Sequence, residues 1–129
     1  MLQGDNGHHR PRERFVQVRD ALAERGIKLA YTDQVADLNP ANLKRQDAVL
    51  LYANIGSIKP DEAKALLDYV ADGGGFVPLH CATYCFRDSK EVVALMGGQF
   101  KRHGTGVFRA KSAGTKHPIM KGFGGFESW

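Results

Sequence analysis

Two short apolar runs separated by a helical segment limit the fold of this chain more than any other feature. Residues 48–52 (AVLLY) form a continuous apolar run, which is typical of a strand buried on both faces. Residues 76–79 form the second run, directly after three glycines. Between them, Pro60 begins a segment whose apolar residues recur at helical spacing, namely Ala63, Leu66, Leu67 and Val70. Strand, helix and strand in this order predict two parallel strands joined by a helix.

The remaining segments continue this alternation and predict an α/β fold with a mainly parallel sheet and helices on both faces. Residues 1–3 read as the end of a strand whose beginning is missing. The further predicted elements in the first half of the chain are a helix from Pro11 to Gly26, a strand at 27–31 and a helical turn capped by Asn39. Those in the second half are a helix near 89–95 ended by Gly97, two strands at 99–102 and 106–111 that can pair antiparallel, and a glycine-rich loop at 117–129.

Length and composition indicate one globular domain. The chain has 129 residues, of which 43% are hydrophobic and 25% charged. No apolar run approaches the length of a membrane span, and no secretory leader is visible, so we expect no membrane partner and favour a cytoplasmic location. Because the N-terminus looks clipped, an export signal in a missing segment stays open.

The positive charge is concentrated in the last third of the chain, where eight basic and three acidic side chains follow Phe86. Such a segment could bind phosphate, nucleic acid or an acidic partner. We favour solvated lysines instead, because neither interleaved aromatic residues nor a nucleic-acid motif accompanies the charge. The sequence therefore predicts no nucleic-acid partner.

Polar side chains are predicted to gather at the carboxyl edge of the sheet, where open α/β sheets bind their ligands. His80 and Cys81 follow the second apolar run, and Asn54 follows the first. The candidates after the N-terminal strand are Asp5, Asn6, His8 and His9, and His103 lies between the two late strands. His80 is the stronger functional candidate as an acid, a base or a partner of a hydroxyl group, with a structural histidine as the alternative.

Cys81 has two interpretations. At a turn between a strand and a helix, the helix dipole can lower the pKa of a thiol and create a nucleophile. Alternatively, Cys81 is a half-buried, inert thiol, which is common for free cysteine. Leu79 and the pair Ala82-Thr83 stand where such a turn usually has small residues or glycine, and the side chain of the neighbouring His80 should point away from that of Cys81. Cys81 and Cys85 form no disulfide framework and indicate a reducing setting.

The histidines were also considered as metal ligands. His8, His9, His80 and His103 match no zinc spacing, so we predict neither a metal nor another cofactor. Gly4 and Gly7 do not make a dinucleotide fingerprint.

Taken together, five stretches resemble the ThuA-like (trehalose utilisation) family. They are GDNGHH at residues 4–9, LLYAN at 50–54, GGGFVPLHCA at 73–82, GGQFKRHGT at 97–105, and the segment from His117 to Trp129. They cover nearly the whole chain in the right order. Pro78 stands where the family commonly has glycine.

The resemblance implies a flavodoxin-like three-layer sandwich similar to class I glutamine amidotransferases, and a link to disaccharides and their keto derivatives. It also implies a histidine at the position of His80, whereas a cysteine at Cys81 is not a fixed feature of the family. The chain would then be one incomplete ThuA-like domain over residues 1–129, binding or transforming a carbohydrate. The alternatives are a cysteine hydrolase or amidotransferase-like enzyme with Cys81 as nucleophile, and a non-catalytic binding module. Uncovered sheet edges in a truncated domain would favour a homo-oligomer.

Overall fold

The computed structural model describes residues 9–112 and 116–128. Its helices are α1 (Pro11–Ala23), α2 (Pro40–Leu43), α3 (Pro60–Ala71) and α4 (Lys90–Met96), and its strands are β1 (Ala48–Leu51), β2 (Gly75–Pro78), β3 (Phe108–Ala110) and β4 (Phe126–Ser128). Short 3₁₀ helices lie at Val35–Asp37, His80–Tyr84 and Pro118–Met120. Within these ranges, no helix has the length and apolar character needed to cross a bilayer.

The predicted strand, helix and strand unit is present. β1 and β2 are parallel, with Ala48 opposite Gly75 and Leu51 opposite Pro78, and α3 connects them. Pro60 occupies the first turn of α3, where its missing N–H costs nothing. The carboxylate of Glu62 accepts a hydrogen bond from the backbone N–H of Lys59 at 2.9 Å, which satisfies one free donor at the start of the helix.

The hydrophobic core lies around the inner face of α3. Ala63 and Leu66 are buried there, and Leu67 and Val70 pack against the core with part of their surface exposed. The largest fully buried side chain, Phe86, comes from the loop before α4. The other buried core residues are Leu38, Leu43, Leu51, Ala53, Ile58, Ala65, Ala82, Cys85 and Val92. The apolar face predicted for this helix is therefore the face of α3 that packs against the core.

The predicted helix ends are also confirmed where capping side chains mark them. The side chain of Asn39 accepts from the N–H of Asn42 at 3.0 Å at the start of α2. Ser89 does the same for Val92 at 3.3 Å at the start of α4. Gly97 ends α4 with a φ of +80°, which a residue with a Cβ adopts only at a cost.

Two predicted strands are not formed. Residues 27–31 carry no strand, although Thr32 makes a single isolated bridge, and Ile27 is 49% exposed. Residues 99–102 are also irregular. There the backbone N–H of Phe100 donates to the carbonyl of Thr83 at 3.0 Å, so this segment is tied to a turn instead of a neighbouring strand. Local propensity cannot form a strand without a ladder partner.

The antiparallel pair near the end of the chain is formed by different strands from the predicted pair. β3 pairs with β4, which lies in the segment predicted as a loop, and Arg109 stands directly opposite Glu127. Their side chains form a cross-strand ion pair, with Arg109 Nε 2.9 Å from Glu127 Oε1. A Cβ on Gly125 would collide with the carbonyl of Ala110, so glycine at this position permits the pairing.

We expect Gly74→Ala to lower the free energy of unfolding by about 1–3 kcal/mol, the usual cost of overpacking. An added Cβ at Gly74 would lie 2.2 Å from Cζ of the Tyr69 ring. That ring is anchored because the Tyr69 hydroxyl donates to the carbonyl of Gln46 at 3.1 Å. Urea denaturation measures the effect. Gly98→Ala is the matched control, since nothing lies within 4 Å of an added Cβ there. Equal midpoints for the two variants would contradict the prediction.

Candidate functional site

The carboxyl ends of β1 and β2 form one edge of the parallel sheet. Because the strands are parallel and in register, the chain leaves both at the same edge. The pairing continues one step beyond β2, where the N–H of Leu79 donates to the carbonyl of Leu51 at 2.9 Å. Tyr52 and His80, the residues that follow these two positions, are thereby brought next to each other.

Three aromatic rings converge at this edge. The ring centres of His80 and Tyr52 are 6.1 Å apart and the planes differ by only 23°. His9, which lies just before α1, has its ring 5.0 Å from that of His80 and 6.1 Å from that of Tyr52, nearly perpendicular to both. Tyr52 is buried, His9 is half-buried and His80 is exposed. The edge thus carries two imidazoles packed against one buried phenol ring.

His80 has an unusual backbone conformation. Its φ is +53°, a value that non-glycine residues adopt rarely and at a cost of about 1–3 kcal/mol. The residue begins the 3₁₀ helix His80–Tyr84, in which the N–H of Ala82 donates to the carbonyl of Leu79 at 3.1 Å. The hydroxyl of Thr83 donates to the carbonyl of His80 at 3.3 Å. Backbone strain is often found at functional sites, and here it falls on His80 and equally on Phe86, a core residue whose φ is also +53°.

The two thiols lie in an apolar setting that opposes ionisation. Burial is the main cause that raises the pKa of Cys81, whose side chain is 9% exposed. Burial also raises the pKa of Cys85 to about 11, only partly offset by a hydrogen bond from the N–H of Ile55. Nucleophilic cysteines need a lowered pKa. The environment of Cys81 therefore fits the inert interpretation better than the nucleophilic one.

The other predicted site residues are distributed as follows. Asn54 is half-buried in the loop after β1. His103 is exposed, with its Nδ1 2.7 Å from the carbonyl oxygen of Gly104 and its ring 5.6 Å from that of Phe100. Asp5, Asn6 and His8 lie outside the described residues. In the described structure, the ring of His9 thus packs against the ring of His80, whereas His103 contacts other residues of the loop after α4.

Two surface grooves are present in the described part of the chain, and none of the predicted site residues lines either of them. One groove of about 600 Å³ lies beside the first turn of α3 and is bordered by Ile58, Lys59 and Asp88. The carboxylate of Asp88 accepts from the N–H of Ile58 at 3.2 Å and so fixes that loop. The other groove, of about 700 Å³, lies at the opposite end of α3. Over residues 9–112 and 116–128, no three or more His, Cys, Asp or Glu side chains form a group that could hold a metal ion.

Tyr52 was missed as a site residue by sequence reasoning, which assigned it to the apolar run of the first strand. The sequence did contain a signal for Tyr52, namely its position directly after the first apolar strand. Tyr52 is the first residue after β1, and His80 is the second residue after β2. In a parallel pair, positions just beyond the last paired residues are neighbours.

Two parallel strands, β1 and β2, joined by the helix α3 make this a chain of the α/β class. Comparison with protein families gives the more specific assignment: the model of the ThuA family, described as trehalose utilisation, matches residues 1–128. The chain therefore belongs to the ThuA family. No curated protein and no solved structure matches it significantly.

Proposed function

We propose that this ThuA-family chain binds or transforms a carbohydrate at the carboxyl edge of the β1–β2 sheet, with His80 as the central residue. The observation that carries the proposal is the cluster of His9, Tyr52 and His80 at this edge, together with the left-handed backbone of His80. Membership of a family described as trehalose utilisation supports a disaccharide as the substrate class, and we extend the proposal to keto derivatives of disaccharides.

The chemistry of the cluster suits a hydroxyl-rich ligand. A neutral imidazole has one nitrogen that donates and one that accepts, so His80 can hydrogen-bond a sugar hydroxyl in either sense or move a proton to or from it. His80 is exposed and can contact a ligand, whereas Tyr52 is buried and its ring packs against the imidazole of His80. The further contacts that we propose are Asp5, Asn6, His8, His9, Asn54 and His103.

We also infer that these elements belong to a flavodoxin-like, three-layer sandwich resembling class I glutamine amidotransferases. Support comes from the strand, helix and strand unit with parallel β1 and β2, and from membership of the ThuA family. In such a fold the turn after β2, which holds His80, would stand at the centre of the ligand-binding edge.

The test is titration calorimetry of the chain with trehalose and a panel of other disaccharides and their keto derivatives, before and after His80→Asn. Asparagine tolerates a positive φ, so this variant removes the imidazole while keeping the backbone conformation. We expect affinity for the best ligand to fall at least about tenfold, since a lost hydrogen bond to a polar ligand group leaves its partner unsatisfied.

The matched control is His117→Asn, which changes an exposed histidine whose Nδ1 accepts only from the nearby N–H of Ile119. It should leave sugar binding unchanged. Equal sugar affinity in the parent chain and in His80→Asn, with folding verified by circular dichroism, would show that His80 is not part of the site.

A further inference from the structure

We propose that the carbohydrate bound at the carboxyl edge carries an anionic group, a phosphate or a carboxylate, which pairs with the guanidinium of Arg87. The inference rests on the proposed function, because it narrows the ligand of the same site to an acidic sugar. It is carried by the position of Arg87, by the contact that holds its side chain, and by the charge of the surrounding loops.

Arg87 lies at the same edge of the sheet as His80. Beyond the ends of β1 and β2 the two chain segments stay joined, and there the backbone N–H of Arg87 donates to the carbonyl of Gly56 at 3.1 Å. His80 and Tyr84 are the first and last residues of one 3₁₀ helix, so a rise of about 2.0 Å per residue separates them by roughly 8 Å along its axis. A ligand of two sugar rings is long enough to reach from one end of this turn to the other.

The guanidinium of Arg87 is held over an aromatic ring. Its central carbon lies 4.0 Å from the ring centre of Tyr84, which is a close cation–π contact. Its Nη2 also lies near the loop after β1, 4.0 Å from the position that a Cβ on Gly56 would take. A guanidinium has five N–H donors, and pairs of them fit two oxygens of a phosphate or carboxylate. Because its position is set before binding, the side chain loses less entropy when it binds an anion.

The charge of Arg87 is not neutralised by a carboxylate. Arg87 is exposed and takes part in none of the ion pairs formed within residues 9–112 and 116–128. The neighbouring acid is Asp88, whose carboxylate accepts from the backbone N–H of Ile58 at 3.2 Å. An anionic ligand would therefore supply a partner that the described part of the chain does not provide.

A second loop adds positive charge beside this turn. The backbone N–H of Phe100 donates to the carbonyl of Thr83 at 3.0 Å, and Lys101 and Arg102 follow on the same loop, both exposed. The Phe100 ring lies 6.3 Å from that of Tyr84 and is 39% exposed, so an apolar surface lies beside the basic side chains. Clustered charges of one sign raise the local concentration of ligands of the opposite sign. This part of the basic segment, interpreted from the sequence as solvated side chains, therefore borders the proposed site.

The test is titration calorimetry of the chain with trehalose, trehalose 6-phosphate and a disaccharide that contains glucuronate. We expect one of the two acidic sugars to bind at least about tenfold more tightly than trehalose, because hydrogen bonds to charged groups are the stronger ones. The acidic sugar that binds more tightly identifies the anion as phosphate or carboxylate. Added salt should weaken the binding of that sugar and leave the binding of trehalose unchanged, since salt screens only the charged ligand.

The variants separate Arg87 from general charge effects. Arg87→Gln should abolish the preference for the acidic sugar. Arg87→Lys keeps the charge but loses the planar donor geometry, so it should restore only part of the preference. The matched control is Arg45→Gln, which removes the same charge from the segment before β1, where Arg45 Nη2 donates to Asn42 Oδ1 at 2.6 Å. This control should keep the full preference of the parent chain.

Two results would overturn the proposal. One is equal affinity of the parent chain for trehalose and for both acidic sugars, and the other is a preference that Arg87→Gln leaves intact. In either case the proposed function stands if His80→Asn weakens the binding of trehalose, so the two failures can be told apart. Absence of binding for all three sugars would overturn both.

Discussion

Phe86→Ala is expected to lower the free energy of unfolding by about 3–5 kcal/mol, a large share of the stability of a domain of this size. Phe86 is the largest fully buried side chain of the described core. Its backbone also joins two segments, since its N–H donates to the carbonyl of Ile55 at 2.8 Å and its carbonyl accepts from Ser89 at 3.0 Å. Because these hydrogen bonds hold the loop in place, the cavity left by the missing phenyl ring cannot collapse fully. The loss of stability should therefore lie near the upper end of this range.

Urea denaturation followed by circular dichroism measures this effect. Phe108→Ala is the matched control, because Phe108 is 57% exposed and its loss should change stability by less than about 1 kcal/mol. Phe86→Leu, which keeps most of the volume, should fall between the two. A change below about 1 kcal/mol for Phe86→Ala would mean that the core around α3 and α4 is not packed as described.

The chain is expected to lose about 2 kcal/mol of stability between pH 9 and 11 through the Cys85 thiol alone. Burial raises the pKa of Cys85 from its ordinary 9.0 to about 11. Over this window the folded state keeps a proton that the unfolded state releases. The stabilising contribution of the protonated Cys85 thiol is therefore fully present below pH 9, and it is lost as the pH rises through the pKa of the folded state. The protonated thiol also donates to the carbonyl of Ala53 at 3.0 Å, a bond that ionisation removes.

The measurement is a series of urea denaturation curves from pH 8 to 11 for the parent chain and for Cys85→Ala. The variant should start less stable but decline less steeply, and the difference between the two slopes isolates Cys85. Some decline should remain in the variant, because burial also raises the pKa of Cys81, and burial and the charge of Asp47 raise the pKa of Tyr69. Parallel curves for the two proteins would contradict a raised pKa at Cys85.

The elements that could be predicted are those specified by residues close together in sequence. Pro60 and the acids after it mark the start of α3, the spacing of Ala63 and Leu66 gives its buried face, and Asn39 and Ser89 cap α2 and α4. The apolar runs at 48–52 and 76–79 contain β1 and β2, but the expected burial on both faces is not found, since Ala48 and Val77 are exposed.

The errors arise where a strand depends on a distant partner. Residues 27–31 and 99–102 have strand-like composition but no ladder. β4 formed in a glycine-rich segment because Arg109 pairs with Glu127 and Gly125 allows close approach to Ala110. Such pairing energies join residues about 18 positions apart and leave no local periodic signal.

By itself, the sequence determined the α/β class, the strand, helix and strand unit, the ThuA family and the placement of His80 after an apolar strand. Only the tertiary structure decided which side chains meet there. Tyr52 lies 28 positions from His80 and meets it because parallel pairing brings the two strand ends to one edge. His9 lies 71 positions from His80 and reaches it from the segment before α1. The tertiary structure also decided the ionisation of Cys85, since the pKa of a thiol follows from its burial, and burial is a property of packing that no local pattern encodes.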